Sequence, residues 1–363
     1  EERSGKSRNV TRRNFLKTSL AGGFGLGLLS PFTSANGTPD GRTGSLQDAD
    51  FSFVHLTDMH VQRKRQGHKG YRACINAVNA ISPTPDFALM GGDLAFDGLY
   101  TPKEEFEDQI QLYKEISKGL QMPHYHCIGN HDLLGWSSRR KVSVDDPELG
   151  KVMILDRLGM KNSYYSFDRN GWHFVMLDSL HKTENEHGPG YEPQIGKKQR
   201  EWLRHDLGKA HPKPTVIVSH YPMFDHMGQI NGDEEMKAMN HLVIQDTKEV
   251  RHILERHNVR AVLQGHVHMT EDFYYKGIWY LTSQSVSAAW WGGNWLGFKP
   301  GFTLLKVKGD DLSWERLTYD WEHQLEPQDT LERKRIKELE QFREEQDSLF
   351  REETKSGSEM EKE

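Results

Sequence analysis

Hydrophobic and polar positions along this chain alternate in short blocks from Asp50 onward. Phe51-Ser52-Phe53-Val54-His55-Leu56-Thr57 reads as a buried strand that ends in Asp58-Met59-His60. Residues 70–81 place Tyr71, Cys74, Ile75, Val78 and Ile81 at helical spacing, and Pro83 and Pro85 close the segment. Phe87-Ala88-Leu89-Met90 is the next strand and runs into Gly91-Gly92-Asp93. Residues 103–120 predict a helix with Phe106, Ile110, Tyr113 and Ile116 on one face. His126-Cys127-Ile128 then delivers Gly129-Asn130-His131-Asp132. This strand-helix-strand rhythm implies parallel strands, right-handed crossovers and a site at the strands' carboxyl ends.

The middle of the chain is less regular. Residues 163–169 and 172–178 predict a hairpin across Asn170-Gly171, and residues 184–196, rich in Gly and Pro, predict a loop. Trp202, Leu203 and Leu207 mark a short helix. Thr215-Val216-Ile217-Val218-Ser219 ends at His220-Tyr221-Pro222, and Arg260-Ala261-Val262-Leu263-Gln264 ends at Gly265-His266-Val267-His268. Strands at 272–275, 278–282, 302–307 and 312–319 follow, so an antiparallel half is expected after a mixed half. The pattern as a whole predicts an α/β domain over 50–322, with two facing sheets flanked by helices.

Both ends differ from this domain. Residues 1–37 resemble a twin-arginine export signal: Thr11-Arg12-Arg13-Asn14-Phe15-Leu16-Lys17, a Gly-rich apolar run, then Thr33-Ser34-Ala35 suited to cleavage. The resemblance implies the twin-arginine export machinery as partner of the precursor and a periplasmic or extracellular destination, with anchoring if the signal stays uncleaved. Residues 328–363 form a charged tail, with a helix over 329–355 started by Asp329 and Glu332 and a disordered end. No segment of the mature chain offers the ~20 apolar residues that span a bilayer.

Composition narrows the function classes. The 363 residues allow one large catalytic domain. With 47 basic and 53 acidic residues, net charge −6 and no basic stripe, nucleic acid is not the expected partner. Cys74 and Cys127 are too few for a disulfide framework or a cysteine zinc site, whereas 19 His point toward metal chemistry.

The strand ends collect Asp58, His60, Asp93, Asn130, His220, His266 and His268, with His131 and Asp132 beside them. Taken singly, each has an ordinary explanation: Asp58 as a helix cap, His220 as a core histidine, Asp132 as a turn cap. Their recurrence at successive strand ends, all with oxygen or imidazole donors, suits Mn, Fe, Zn, Co or Ni rather than a structural zinc.

The order Asp-x-His, Gly-Asp, Gly-Asn-His-Asp, His, Gly-His-x-His from Asp58 to His268 resembles the calcineurin-like metallophosphoesterase superfamily. That resemblance implies a four-layer α/β/β/α sandwich of two mixed sheets flanked by helices, to which the charged C-terminal helix is added. It implies two divalent or trivalent ions, Mn, Fe or Zn. One would be held by Asp58, His60, Asp93 and His268, the other by Asp93, Asn130, His220 and His266. It further implies in-line attack on a small phosphoester by a metal-bridging hydroxide, with His131 stabilising the transition state or protonating the leaving oxygen and Asp132 orienting His131. The sequence is most similar to the bacterial class III cyclic-nucleotide phosphodiesterase-like branch. Gly92-Asp93-Leu94-Ala95-Phe96-Asp97-Gly98 lacks the Arg of serine/threonine phosphatases, and Phe96 stands where purple acid phosphatases place a Tyr. Trp290, Trp291 and Trp295 among glycines offer a substrate wall, with Tyr221, Phe224, Asp225 and His226 facing it, or else aromatics that pack under the C-terminal helix. The competing class is a catalytically silent binding module on the same fold.

Overall fold

Period-two alternation builds both large sheets. In the computed structural model, which describes residues 50–224, 226, 242–324, 326–327 and 334, strand β1 (Phe51–Leu56) turns Phe51 and Phe53 toward the opposite sheet and Val54 and Leu56 toward helices. β1 pairs in parallel with β2 (Phe87–Gly91), which pairs in parallel with β3 (His124–Cys127). Helices α1 (Gly67–Asn79) and α2 (Lys103–Ser117) make the two crossovers, and their Tyr71, Cys74, Ile75, Val78, Tyr113 and Ile116 cover the outer face of this sheet.

The second sheet repeats the arrangement. It contains β4 (Tyr165–Arg169), β5 (Trp172–Met176), β8 (Thr215–Val218), β9 (Val259–Gln264), β10 (Glu271–Tyr275) and β11 (Ile278–Thr282), in the order β10-β11-β9-β8-β5-β4. Phe174, Val216, Val218, Ala261 and Leu263 face the first sheet, while Val175, Ile217 and Val262 face outward. The outer face is covered by α4 (Gly196–Ala210) and α5 (Thr247–Leu254), through Leu203, Leu207, Val250, Ile253 and Leu254. A short α3 (Val152–Leu158) packs beside α2. The layers are thus α/β/β/α, with an aromatic seam between the sheets: Phe53 stacks on Phe87 at 4.9 Å, and Phe174 meets both edge-on at 5.4 and 5.1 Å.

Three expectations are corrected. The late strands do not form a separate antiparallel half: β12 (Gly301–Lys308) pairs antiparallel with β1 and carries β13 (Asp311–Thr318) to the edge of the first sheet, whereas β10 and β11 extend the second. Local pattern marks a strand but not its partner. The stretch expected as a loop is a hairpin, β6 (Leu180–Asn185) and β7 (Gly188–Pro193), whose Pro189 and Pro193 are tolerated because the two strands form a sheet of their own. The short helix around Leu203 is the full-length α4. The export segment at 1–37 and the tail helix at 329–355 lie outside the described residues. Among the described residues no helix is long and apolar enough to cross a membrane.

One polar clamp ties β5 to its covering helix. The His173 Nδ1 lies 2.7 Å from Asp168 and its Nε2 3.0 Å from Asp206 on α4, so both ring nitrogens must donate. Burial opposes the charge, but the two carboxylates outweigh it and raise the imidazole above its ordinary 6.5. The clamp's stabilisation is therefore complete below that ordinary value and is lost as pH rises through the folded pKa. His173→Ala should cost about 1–3 kcal/mol at pH 6 and distinctly less at pH 9, as read by urea unfolding.

Candidate metal centre

The carboxyl ends of β1, β2, β3, β8 and β9 open at one edge of the sandwich, where each strand's pairing continues briefly into its loop. Asp58 N donates to Gly92 O, His60 N to Asp93 O and Gly265 N to His220 O. Within each sheet these contacts hold the strand ends together, and His266 N joins the two sheets by donating to the Asp58 carboxylate at 3.1 Å. Asp58, His60 and His268 form one group, and Asp93, His220 and His266 another, in each case with ligand atoms within 4.8 Å of one another. The Asn130 Oδ1 joins the second group, 3.2 Å from His220 Nε2.

Asp93 links the groups. Its Oδ1 accepts the His131 backbone N–H at 2.8 Å, which leaves Oδ2 facing His220 Nε2 at 3.2 Å and His60 Nε2 at 3.5 Å. A Cβ at Gly129 would lie 2.2 Å from Asp93 Oδ1, so only glycine lets this loop come so close. Asp58, His60, Asp93, His266 and His268 all have positive φ, between 43° and 71°. For residues other than glycine each such conformation costs of order 1–3 kcal/mol, and its clustering at one site is the mark of a functional constraint.

Three imidazoles are fixed in one tautomer. His60 Nδ1 faces Phe96 O at 3.2 Å, His220 Nδ1 faces Gly91 O at 3.0 Å, and His268 Nδ1 faces Ala288 O at 2.5 Å. A carbonyl only accepts, so each Nδ1 carries the proton and each Nε2 presents a lone pair inward. His60 Nε2 and His268 Nε2 are 3.1 Å apart, and His268 Nε2 is 3.4 Å from Asp58 Oδ1. Bare acceptors at this spacing repel one another. Donors about 2.0–2.2 Å from a common cation lie about 2.8–3.6 Å apart, so the set fits a metal ion.

The electrostatics agree. Burial would raise Asp58, but His268 outweighs it and holds the carboxyl below its ordinary range. Burial likewise opposes ionisation of Asp93, and His220 and His131 hold it well below. Burial pushes His266 down to about 3, with His220 adding to the effect, and lowers His60 as well. Burial would also lower His220, but Asp93 lifts it to about 9. Ionised carboxylates and neutral imidazoles are the state that binds cations, so His220 must give up the proton that Asp93 favours when an ion enters.

His131 and Asp132 separate in role. The His131 ring is partly exposed, with its centroid 4.8 Å from that of His60 and its Nδ1 3.6 Å from Asp97 Oδ1. Asp132 does not orient it. Its Oδ1 accepts Leu94 N and Ala95 N at 3.0 Å and its Oδ2 accepts Gly129 N at 2.8 Å, so the buried carboxylate ties the Asp93 loop to the Gly129 loop. Asp97 is the carboxylate beside His131, a placement that sequence proximity to Asp132 concealed.

The aromatic residues also divide. Trp290 packs 4.5 Å from His268 and 5.8 Å from His60, and Trp295 lies 5.1 Å from Trp290. The Arg65 guanidinium holds the Trp290 carbonyl at 3.1 Å. Trp291 is not part of a wall: it fills the space left by Gly67 and Gly70 in the helix core and donates its indole N–H to His60 O at 2.9 Å. Tyr221 is 2% exposed and backs His266, ring on ring at 3.8 Å. Phe224 packs on Phe273 and Tyr280, His226 pairs with Glu271, and Asp225 lies outside the described residues. The half-buried Tyr191 of β7, which no sequence motif marks, lies beside Tyr221 and Asn130.

Asp132→Ala would leave the Leu94, Ala95 and Gly129 amides without their acceptor. It should cost about 2–4 kcal/mol in urea unfolding and weaken metal binding about 10- to 100-fold in a metal titration.

Comparison with known proteins gives the geometry its context. The pattern of the calcineurin-like phosphoesterase family matches residues 51–270. A 3′,5′-cyclic-nucleotide phosphodiesterase of Nostoc sp. is 28% identical over 74% of this chain and 93% of its own length. A probable glycerophosphodiester phosphodiesterase of Arcobacter nitrofigilis is 25% identical over 64% of this chain and 78% of its own. The solved phosphopantetheinyl hydrolase of Mycobacterium tuberculosis aligns over 66% of this chain and 91% of its own, with TM-score 0.41 and 12% identity. With the family pattern running from the first residue of β1 to just past His268, this chain belongs to the calcineurin-like phosphoesterase family.

Proposed function

We propose that the chain is a dinuclear metallophosphohydrolase that cleaves a phosphodiester or a phosphomonoester, akin to the class III cyclic-nucleotide phosphodiesterase-like branch. The observation that carries this reading is the Asp93 Oδ2, placed between His220 Nε2 and His60 Nε2 of two separate ligand groups. Asp58, His60, Asp93 and His268 would hold one ion, and Asp93, Asn130, His220 and His266 the other. When bound, the two cations would supply Lewis acidity and activate water for attack on phosphorus. Mn, Fe and Zn all suit this nitrogen and oxygen donor set.

The chain's own groups supply the rest. His131 is partly open to the cleft beside both ligand groups, where its ring can give a proton to the leaving oxygen. Burial opposes protonation of the ring, but Asp93 and then Asp97 outweigh it and raise the imidazole above its ordinary value. Trp290 and Trp295 form an apolar flank over the His60 and His268 side, suited to a leaving group with a planar or lipophilic body. Phe96 offers only its carbonyl to His60, so the phenolate iron chemistry of a purple acid phosphatase has no ligand here. A small-molecule ester fits this cleft better than nucleic acid, since the net charge is −6. The twin-arginine-like residues Arg12 and Arg13 support export of the folded protein to the periplasm or beyond.

A silent binding module is the rival reading, and one assay separates the two. Protein loaded with Mn, Fe or Zn should hydrolyse aryl phosphodiesters or monoesters, and chelation should abolish the activity. His131→Ala should keep its metal and lose about 10²- to 10⁴-fold in kcat. Absence of turnover over a panel of cyclic nucleotides, glycerophosphodiesters, nucleotides and sugar phosphates would favour the binding module.

A further inference from the structure

We propose that Tyr191 is a catalytic hydrogen-bond donor, its phenol O–H directed at a non-bridging oxygen of the phosphoryl group on the Asn130 side of the site. The proposal rests on the phosphoesterase reading above and assigns a residue that none of the strand-end motifs contains.

Hydrogen-bond accounting carries the argument. The Tyr191 hydroxyl lies 3.3 Å from that of Tyr221 and beside the Asn130 side-chain amide. Asn130 turns its Oδ1 toward His220 Nε2, so the group it offers Tyr191 is its N–H. Tyr221 is the buried member of the phenol pair, 2% exposed, with its ring against His266 and its backbone N–H held by Ser179 Oγ. Tyr221 therefore satisfies its own proton by donating to Tyr191. The Tyr191 oxygen then accepts from Tyr221. Its own proton is then left for a partner other than Tyr221, and the residue is only partly buried beside the Asn130 turn. A donor whose proton its neighbour does not take up is suited to an anionic oxygen that arrives with substrate.

The support is rigid. Tyr191 stands on β7, and Arg140 clamps the tip of that hairpin by donating to His187 O at 2.8 Å and to Pro189 O at 3.1 Å. The same guanidinium donates to Gly135 O at 2.9 Å, just beyond the turn that carries Asn130 and His131. At the base, Gln245 N donates to Pro193 O and Gln194 N to Ser179 O. Hairpin and ligand turn are thus held as one unit, which fixes the phenol relative to Asn130. His131 approaches from the His60 side and Tyr191 from the Tyr221 side, so the leaving oxygen and the phosphoryl oxygen have separate donors.

Tyr191→Phe tests this in the full chain loaded with Mn²⁺, because it removes only the hydroxyl. Orthophosphate binding by calorimetry is the first measurement. The variant should bind phosphate roughly tenfold more weakly while metal content and the unfolding midpoint stay unchanged. The second is kcat over aryl esters of graded leaving-group pKa, which should fall by one similar factor, about 10- to 100-fold, throughout the series. Unchanged phosphate affinity would overturn the proposal, as would loss of metal from the Phe variant, which would make Tyr191 a structural support. A loss in kcat that grows with leaving-group pKa would also overturn it, by moving the contact to the leaving oxygen. If the unaltered chain hydrolyses no ester, the phosphoesterase reading fails, and the phosphate measurement still decides whether Tyr191 meets a phosphoryl oxygen.

Discussion

The structure depends on one carboxylate oxygen. Asp93 Oδ2 lies where the carboxyl ends of two sheets meet, with a histidine from each sheet turned toward it. The first sheet brings Asp58, His60, Asp93 and Asn130, and the second brings His220, His266 and His268. Neither sheet holds a full donor set. The aromatic seam of Phe53, Phe87 and Phe174 therefore has a role beyond burial, because it fixes how the two ligand halves face each other.

Such a cluster is costly for an empty fold. Ionised carboxylates are buried, imidazole lone pairs face one another, and five of the ligand residues have left-handed backbone. Burial of this kind is favourable when a cation replaces the lost solvation, so the fold and the metal are coupled. The surrounding shell of hydrogen bonds serves that coupling. Backbone carbonyls set three tautomers, Asp132 binds two loops together, and Trp291 supports His60 from beneath. These are rigid supports, and among them the His131 ring stays partly exposed.

Much of this was legible in the sequence because parallel strands put their chemistry at their carboxyl ends. Asp58, Asp93, Asn130, His220, His266 and His268 each follow a short apolar run, and the structure gathers them all. What stayed hidden depended on partners distant along the chain. Asp132 is adjacent to His131 but bonds to residues 94, 95 and 129, whereas Asp97, 34 positions away, is the carboxylate beside the ring. Trp291 and Trp290 are neighbours, yet their backbones send one indole into the helix core and the other over the site. Tyr191 was masked by Gly188, Pro189, Gly190 and Pro193, which read as a loop although they form a hairpin strand. The return of β12 to pair with β1 spans some 250 residues, a separation to which local pattern is blind.

The central claim is that one Asp93 oxygen serves two ions at once. Electron paramagnetic resonance of the Mn²⁺-loaded chain tests it most directly. The account predicts the spectrum of an exchange-coupled ion pair, which disappears in Asp93→Ala. A spectrum of isolated ions at full loading, or a coupled spectrum that survives the loss of Asp93, would contradict it.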